Sequence, residues 1–390
     1  MNIRDTVTAY TEELITLRRD FHAYPELGFQ EFRTAEVVEQ YLQALGLETV
    51  RCAGTGVTAV LEGRRPSPVL LLRADMDALP LQEENTFSYA SKHHGVMHAC
   101  GHDAHMAMML VTAKILCQMR ESMEGTVKFV FQPNEEIAGA EAMIEQGVLE
   151  RPRADAAMGL HIWTPLPSGS IGIKAGAVTA SMDVFSVRIT GKGGHTGYPE
   201  SAVDPVIAAA DVVQSVQRIQ TRLISPMKST VIMFGKIQGG TKNNIIPDEV
   251  VLEGTIRYLY AASPDQNPTE QFRSLVSKVC SLHRCSCSVH IEHENDAVVN
   301  SSMMASLAND AAKEIVGEDQ VVEHASMACE DFSAFADRVP SVFAFIGTAR
   351  EEAHSTYPHH NPRFTIDEQT LSTGVEFLVS GALKFFQRNS

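Results

Sequence analysis

The chain of 390 residues lacks the features of several protein classes. No run approaches the ~18 apolar residues of a membrane-spanning helix, and residues 1–22 mix charged and apolar positions, unlike a secretory signal. Lysine and arginine are scattered, and the formal net charge is -16, which argues against a polyanionic partner. We therefore expect a cytoplasmic protein that binds neither a membrane nor nucleic acid.

Cysteine is sparse and low-complexity tracts are absent, while 44% of the residues are hydrophobic. Without an export signal the thiols are expected to be reduced. A chain of this length exceeds the size at which one hydrophobic core stops growing, so we expect two domains. Six of the seven cysteines are interpreted as packing residues: Cys52, Cys117, Cys280, Cys285, Cys287 and Cys329.

The spacing of apolar residues predicts an α/β fold. Helices are expected over residues 3–21 and 31–45, and short apolar runs suited to buried strands then alternate with helical segments. This alternation predicts a mainly parallel sheet covered by helices. We assign residues 1–180 and 293–390 to this catalytic domain.

A different pattern begins near residue 181. Residues 184–189 alternate as in a half-exposed strand, and a glycine-rich turn follows at residues 191–194. Predicted helices at 204–219 and 268–283 and predicted strands at 230–237, 249–257 and 286–292 complete an α+β unit. We therefore expect residues 181–292 to form a smaller inserted domain.

Ligand-type side chains follow the predicted strands. In open parallel sheets, sites form beyond the carboxyl ends of the strands, so these side chains are expected to lie near one another. Adjacent carboxylates such as Glu135 and Glu136 repel each other unless a cation or a shared proton separates their roles. The side chains are, in chain order, Asp75, Asp77, Glu135, Glu136, His161, His359 and His360.

The segment from His98 to His105 is the densest group of potential ligands in the sequence. Cys100 and His102 are ligand types that suit zinc or a neighbouring transition metal. Gly101 between them allows the backbone to turn both side chains toward one point. A Cys-x-His pair alone is a weak signal, because buried cysteines and hydrogen-bonded histidines are common.

Together these segments resemble the metallopeptidase superfamily of aminoacylases, bacterial hippurate hydrolases, auxin-conjugate hydrolases and folate-cleaving carboxypeptidases. The Cys-Gly-His-Asp segment is similar to the aminoacylase and hippurate-hydrolase branch. The resemblance covers nearly the whole chain and rests on these motifs: His22-x-x-Pro25-Glu26-Leu27-Gly28, Arg73-Ala74-Asp75-Met76-Asp77-Ala78-Leu79-Pro80, residues 98–103, Gln132-Pro133-Asn134-Glu135-Glu136, Gly159-Leu160-His161, Gly193-Gly194-His195, Gly239-Gly240-Thr241 with Asn244-x-x-Pro247, and His360-x-Pro362-x-Phe364.

This resemblance implies a site with two divalent ions, which could be zinc, manganese, cobalt or nickel. Glu135 would be the general base toward water. Asp75, Asp77 and Asp103 are expected to orient the ligands. His359 stands beside His360 where relatives carry an apolar residue, so the sequence leaves open which histidine binds. The ligands that the resemblance implies are Cys100, His102, Glu136, His161 and His360.

The resemblance also implies roles for the inserted domain. It would act as a lid and join two subunits into a homodimer. His195 would stabilise the oxyanion in the partner's active site, and Asn244 and Arg257 would hold the substrate carboxylate. The expected reaction is hydrolysis of the amide bond of a small N-acyl amino acid, such as an N-acetyl or N-benzoyl derivative.

Three other interpretations remain at this stage. A dipeptidase or aminopeptidase would need an acidic group for the substrate's free amine, and the sequence does not identify one. A cysteine hydrolase would use Cys100 as nucleophile with His102 or His105. A binding protein without catalytic activity would keep the two domains, although the complete ligand set and Glu135 argue against it.

Overall fold

The computed structural model describes residues 2–260 and 262–389. The chain divides into two compact units, and the smaller comprises Thr179–Ala297 together with Ser326–Cys329. The larger comprises the residues up to Val178, Val298–Ala325 and the residues from Glu330 onward. The predicted limits, 181 and 292, lie inside the smaller unit. Nothing in the sequence pattern predicts that residues 326–329 belong to it.

The larger unit contains most of the helices. Among the described residues, no helix has the length and apolar character needed to cross a membrane. Its helices are α1 Ile3–Ala9, α2 Thr11–Ala23, α3 Phe32–Ala44, α4 His102–Gln118 and α5 Gly139–Glu145. The smaller unit contributes α6 Pro205–Ser215 and α7 Pro268–Leu282. The larger unit then continues with α8 Ser302–Val316, α9 Ser333–Ala336 and α10 Thr370–Arg388.

The strands follow the same division. The larger unit begins with β1 Thr49–Cys52, β2 Gly56–Glu62, β3 Val69–Asp75, β4 Thr126–Gln132, β5 Ala156–Pro167, β6 Ile171–Gly172 and β7 Gly176–Ala177. The smaller unit has β8 Ser181–Thr190, β9 Gly194–His195, β10 Thr230–Gly239, β11 Ile245–Ile246, β12 Glu249–Tyr258 and β13 Ser286–Asn295. The larger unit ends with β14 Val299–Asn300, β15 Val321–Val322 and β16 Ser341–Ala349.

The predicted α/β fold is confirmed by an eight-stranded sheet in the order β1-β2-β4-β3-β5-β16-β6-β15. The four central strands, β4, β3, β5 and β16, pair in parallel. Antiparallel pairings occur toward the edges, between β1 and β2, β2 and β4, and β16 and β6. The carboxyl ends of the central strands therefore share one edge of the sheet.

Both faces of this sheet are buried, which explains why its strands are continuous apolar runs. On β3, Leu70 and Leu72 belong to one hydrophobic cluster and Leu71 belongs to another. Helix α4 packs into the first cluster and is buried on nearly all its sides. Such a helix lies within the core, as its lack of a polar face predicts.

Two predicted helices differ from the observed ones. The first is broken at Tyr10, which ends α1 and precedes Thr11 at the start of α2. The helix predicted over 204–219 begins after Asp204, whose side chain caps it, but ends at Ser215. A short π-helix over Ile219–Leu223 then completes the segment.

The smaller unit is an antiparallel sheet with its own core. Strands β10, β12, β8 and β13 lie in that order, and α6 and α7 pack against them through a separate cluster that includes Phe185 and Phe272. The short strands β9 and β11 pair so that His195 lies opposite Ile245. This pairing brings His195 close in the fold to the neighbouring Asn244.

Candidate metal centre

The amino end of α4 carries the Cys-Gly-His segment. Gly101 stands just before the helix with φ +98°, a left-handed conformation that glycine adopts without strain. A side chain there would also collide with Ile162, because an added Cβ would lie 2.3 Å from its Cδ1. Gly101 therefore allows Cys100 and His102 to approach β5.

His102 turns its ring nitrogen Nε2 toward the other potential ligands. Its Nδ1 donates to the backbone oxygen of Asp77 at 2.9 Å and lies 3.2 Å from Asp77 Oδ1. Its Nε2 is buried and has no hydrogen-bond partner among the described residues. Because Nδ1 holds the proton, a neutral ring leaves the Nε2 lone pair free to bind a cation.

His161 also uses Nδ1 to contact a backbone oxygen and turns Nε2 toward Cys100. His161 Nδ1 donates to the backbone oxygen of Ile162 at 2.6 Å, and its Nε2 lies 3.3 Å from Cys100 Sγ. Ligand atoms of Cys100, His102 and His161 all lie within 4.8 Å of one another. A sulfur and two ring nitrogens thus converge on one point.

A second group of potential ligands contains Cys100, Glu136 and His360, again within 4.8 Å. His360 Nε2 lies 3.2 Å from Glu136 Oε1. His359 is directed elsewhere: its Nε2 accepts from the Thr164 amide at 3.3 Å, and its ring stacks on Trp163. The structure therefore brings His360, and not His359, to the group.

The loop that follows β4 places Glu135 and Glu136 beside these donors. Asn134 has φ +53°, and its amide donates to the buried carboxylate of Glu31 at 2.9 Å. The Glu136 amide donates to Asp77 Oδ2 at 3.1 Å. Asp77 therefore contacts both His102 and the loop that carries Glu136.

Asp75 orients a different histidine. Its Oδ1 lies 2.6 Å from His105 Nδ1, while its Oδ2 is 3.9 Å from His102 Nε2. His105 Nε2 in turn accepts from the Ile162 amide at 3.0 Å. Sequence reasoning gave His105 no role in the metal site, yet its ring packs edge-on against that of His161, with ring centroids 4.6 Å apart.

Asp103 differs from the expected orienting role. Its Oδ2 lies 2.7 Å from His22 Nδ1 and 2.8 Å from Arg18 Nε, and all three side chains are buried. The physical reason is helical geometry, since adjacent residues on α4 point about 100° apart. Asp103 therefore points toward α2 and joins α4 to that helix.

Three buried charged residues near the site have no role in the sequence analysis. Arg73 donates to Asp75 at 2.6 Å and to Glu330 and Asp331 at 2.8 Å. The carboxylates of Glu135, Glu330 and Asp331 lie within 4.8 Å of one another. Arg73 belongs to the motif that spans residues 73–80, but no sequence signal relates Glu330 and Asp331 to Arg73.

The electrostatics of the cluster favour bound cations. Burial, together with repulsion from Glu330 and Glu136, raises the pKa of Glu135 well above its usual range. Burial and nearby carboxylates, first Glu136, also raise the pKa of Cys100. Without a cation the thiol is therefore neutral, which argues against a cysteine nucleophile. Metal ligation removes this penalty by supplying positive charge.

These residues fit divalent metal ions. Burial opposes a charge on His102, but Asp75 and Asp77 raise its pKa to about 10, so the cluster attracts positive charge. Glu136 Oε1 is also buried and, apart from the His360 ring 3.2 Å away, has no hydrogen-bond partner among the described residues. Thiolate, imidazole and carboxylate donors are the set that zinc and neighbouring transition metals prefer.

The other predicted site residues belong to the smaller unit. His195 is exposed, and its Nδ1 accepts from the Gly197 amide at 3.0 Å, so the neutral ring carries its proton on Nε2. The backbone oxygen of Asn244 accepts from the Thr196 amide at 3.4 Å. Arg257 on β12 donates through Nη1 to the backbone oxygen of Met327 at 3.0 Å.

Comparison with known proteins agrees with this geometry. The sequence profile of Peptidase family M20/M25/M40 matches residues 71–384. An N-acetylcysteine deacetylase of Bacillus subtilis (strain 168) is 36% identical over 378 residues, 96% of this chain and 97% of the relative. An N-acyl-L-amino acid amidohydrolase of Geobacillus stearothermophilus is 45% identical over 258 residues, 65% of this chain and 69% of the relative.

A solved structure is similar over almost its whole length. The YXEP protein of Bacillus subtilis, described as a dinuclear metal binding peptidase from the M20 family, has a TM-score of 0.85 and 33% sequence identity, covering 97% of this chain and 99% of that chain. The fold and the site thus define a metal-dependent hydrolase that acts on amide bonds. The chain belongs to the peptidase family M20/M25/M40.

Proposed function

We propose that this enzyme hydrolyses the amide bond of N-acyl amino acids and releases a carboxylic acid and a free amino acid. The observation that carries the proposal is the convergence of sulfur and ring-nitrogen ligand atoms on one buried point beside Glu135. The names of two relatives, a deacetylase of N-acetylcysteine and an amidohydrolase of N-acyl-L-amino acids, support this substrate class.

The donors are suited to two neighbouring ions. The group of Cys100, His102 and His161 and the group of Cys100, Glu136 and His360 share only the sulfur of Cys100. Bound divalent ions would lower the pKa of water and polarise the amide carbonyl. Asp77 keeps the lone pair of His102 Nε2 directed at the site.

Glu135 is the proposed proton carrier. Its carboxylate belongs to the same cluster as His102 and Glu136, with ligand atoms within 4.8 Å. Glu135 takes the proton of the attacking water and delivers it to the nitrogen of the leaving amine. One residue therefore both accepts and donates the proton. Its neighbour Glu136 is then free to act as a ligand.

Residues of the smaller unit would recognise the rest of the substrate. The neutral ring of His195 presents Nε2–H, a suitable donor for a developing oxyanion. The guanidinium of Arg257 and the amide of Asn244 are suited to the substrate carboxylate. An N-acyl amino acid has such a carboxylate and no free amine, which matches these groups.

We also propose that the smaller unit joins two copies of the chain. Strand β10 is an edge of its sheet, and a cleft of about 390 Å³ lies between it and α6. Ile237 on β10 is 59% exposed and Ile207 on α6 is 56% exposed. An exposed apolar edge strand is a template for pairing, and twofold dimers are the commonest assembly.

The test of activity uses purified protein stripped by a chelator and then reloaded with zinc, manganese, cobalt or nickel. N-acetyl and N-benzoyl amino acids are compared with dipeptides. Activity that is lost on stripping, restored by metal and greatest on N-acyl amino acids supports the proposal. Activity that survives complete stripping contradicts it, and a preference for dipeptides identifies a peptidase instead.

Glu135→Gln tests the proton carrier. The variant should retain its bound metal, while turnover should fall by about 10²–10⁴-fold. Glu145→Gln, an exposed position on α5, is the matched control and should remain fully active. Normal turnover in Glu135→Gln would remove Glu135 from this role.

Sedimentation analysis tests the dimer. The parent protein should sediment as a dimer at micromolar concentration, and Ile237→Glu should sediment as a monomer. Leu282→Glu, at a position that is 77% exposed at the end of α7, should remain dimeric. A monomeric parent protein contradicts the proposal.

A further inference from the structure

Two adjacent acidic residues, Glu330 and Asp331, are buried in the segment that connects β15 to α9. We propose that Asp331 is a positioning residue that holds both ends of the loop carrying Glu135 and Glu136. The inference rests on the proposed function for its effect on catalysis, but the positioning itself can be measured without any substrate.

The bonds of Asp331 reach both sides of that loop. Gln132, the last residue of β4, places its Nε2 2.8 Å from both Asp331 carboxylate oxygens. The amide of Ala140, in the first turn of α5, donates to Asp331 Oδ2 at 2.8 Å. One carboxylate therefore fixes the end of β4 relative to the start of α5, and the segment 133–139 lies between them.

Arg73 anchors Asp331 in turn. Its Nη2 donates to Asp331 Oδ1 at 2.8 Å, and its Nε donates to Gln132 Oε1 at 2.8 Å. The guanidinium is fully buried, so its position is set by the strand that carries it. Arg73, Gln132 and Asp331 form a closed triangle of hydrogen bonds, which has one arrangement of donors and acceptors.

Two further carboxylates accept from backbone amides within the loop. Glu31 accepts from the Asn134 amide, and Asp77 accepts from the Glu136 amide. Each holds one point within the loop. Loss of Asp331 should therefore loosen the loop as a whole, while Cys100, His102 and His161, which lie on other elements, should remain in place.

Asp331→Asn tests this assignment. The substitution keeps the size of the side chain but turns one acceptor into a donor, and that donor faces N–H groups of Gln132, Ala140 or Arg73. Losing one hydrogen bond to a charged group corresponds to about a tenfold to hundredfold change in an opening equilibrium. Hydrogen exchange of peptides covering residues 133–140 should accelerate by about that factor.

A compensating variant makes the test specific. In Gln132→Glu with Asp331→Asn, the new carboxylate accepts from Arg73 and from the asparagine amide, and the asparagine oxygen accepts from Ala140. The contact between positions 132 and 331, the bond to Ala140 and the buried charge are restored, while Arg73 Nη2 loses its acceptor at position 331 and keeps the one on Glu330. Most of the slow exchange of residues 133–140 should therefore return. Asp319→Asn, at an exposed position in the same unit, is the control and should exchange like the parent protein.

Catalysis provides a second readout. With an N-acyl amino acid, Asp331→Asn should lower kcat by at least about tenfold and leave KM within about threefold, because the loop carries the base. The double variant should recover most of kcat. Purely structural damage would not be repaired by this particular partner substitution.

Several outcomes would overturn the proposal. Unchanged exchange in a folded Asp331→Asn protein would do so, as would a lower kcat with unchanged exchange. If Asp331→Asn does not fold, recovery of folded protein in the double variant supports the assignment, and no recovery contradicts it. If the enzyme proves inactive on N-acyl amino acids, the proposed function fails while the exchange result still decides the role of Asp331.

Discussion

Asp77 contacts two of the proposed metal ligands, so Asp77→Asn should weaken metal binding. In the parent protein, Oδ1 lies 3.2 Å from His102 Nδ1, and Oδ2 accepts from the Glu136 amide at 3.1 Å. Asparagine offers only one oxygen, and in either orientation its amide nitrogen faces an N–H donor. The backbone oxygen of Asp77 still accepts from His102 Nδ1 at 2.9 Å. The ring therefore keeps its orientation, and the loss falls mainly on Glu136.

The expected magnitude follows from this single lost contact. A hydrogen bond to a charged group contributes about 1.5–3 kcal/mol, which corresponds to about a tenfold to hundredfold change in affinity. Loss of an outer partner of a metal ligand has the same typical effect. Asp77→Ala removes both side-chain contacts and should weaken binding at least as much as Asp77→Asn.

The assay is competition for zinc with a chromophoric chelator, at fixed pH and without substrate. Asp20→Asn removes the carboxylate of a partly exposed ion pair with Arg33, and its metal affinity should match that of the parent protein. Thermal unfolding of the metal-free proteins shows whether each variant is folded. A metal affinity of folded Asp77→Asn within about twofold of the parent would refute the reasoning.

Three further predictions concern other parts of the chain. Arg257→Ala should raise KM for an N-acyl amino acid by about tenfold or more. KM for the matched N-acyl amine, which has no carboxylate, should not rise. An equal rise for both substrates would contradict a contact between Arg257 and the substrate carboxylate. The His293 ring donates hydrogen bonds to Asp183 and Asp296, and these bonds raise its pKa from 6.5 to about 10, so its stabilising effect is complete below about pH 6.5 and disappears as the pH rises through 10. Urea unfolding of His293→Gln should therefore show its largest loss of stability near pH 6 and almost none well above pH 10, and a loss of the same size at every pH would contradict this. Leu110→Ala in the buried centre of α4 should cost about 2–5 kcal/mol of unfolding free energy, and the exposed Leu282→Ala less than about 0.5 kcal/mol; similar costs for both would contradict the burial of α4.

Much of the larger unit's fold can be predicted because its strands are buried on both faces. A strand between two helical layers is mainly apolar, as residues 127–131 are apart from Lys128, and the observed strand β4 is Thr126–Gln132. The short strands β6, β14 and β15 have only two residues each. They carry too little pattern to be recognised, because their pairing depends on neighbours that are distant in the chain.

The choice between His359 and His360 shows a limit of residue type as a signal. The two side chains are chemically identical, and only the backbone separates them. His360 adopts φ +63° and its amide donates to the Ala99 oxygen at 2.9 Å. The Thr164 amide donates to Nε2 of the His359 ring, so this nitrogen is already engaged. Both hydrogen bonds join residues that are far apart in the chain, so no local sequence rule predicts them.

Glu330 and Asp331 show a second limit. They lie outside any helix or strand, and the strand-end rule that identified Asp75 and Glu135 does not reach them. Their position depends on the buried guanidinium of Arg73, which is remote in sequence. A buried arginine predicts acidic partners somewhere in the chain, but periodicity and spacing cannot identify which ones.

The division of the chain has a practical consequence for protein engineering. The backbone passes from one unit to the other four times, at residues 178–179, 297–298, 325–326 and 329–330. A chimaera that exchanges only 179–297 with a relative would leave 326–329 from the original parent, and Arg257 on the graft would meet a foreign loop at Met327. Shuffling this unit between homologues therefore requires two cassettes, one long and one of four residues, moved together.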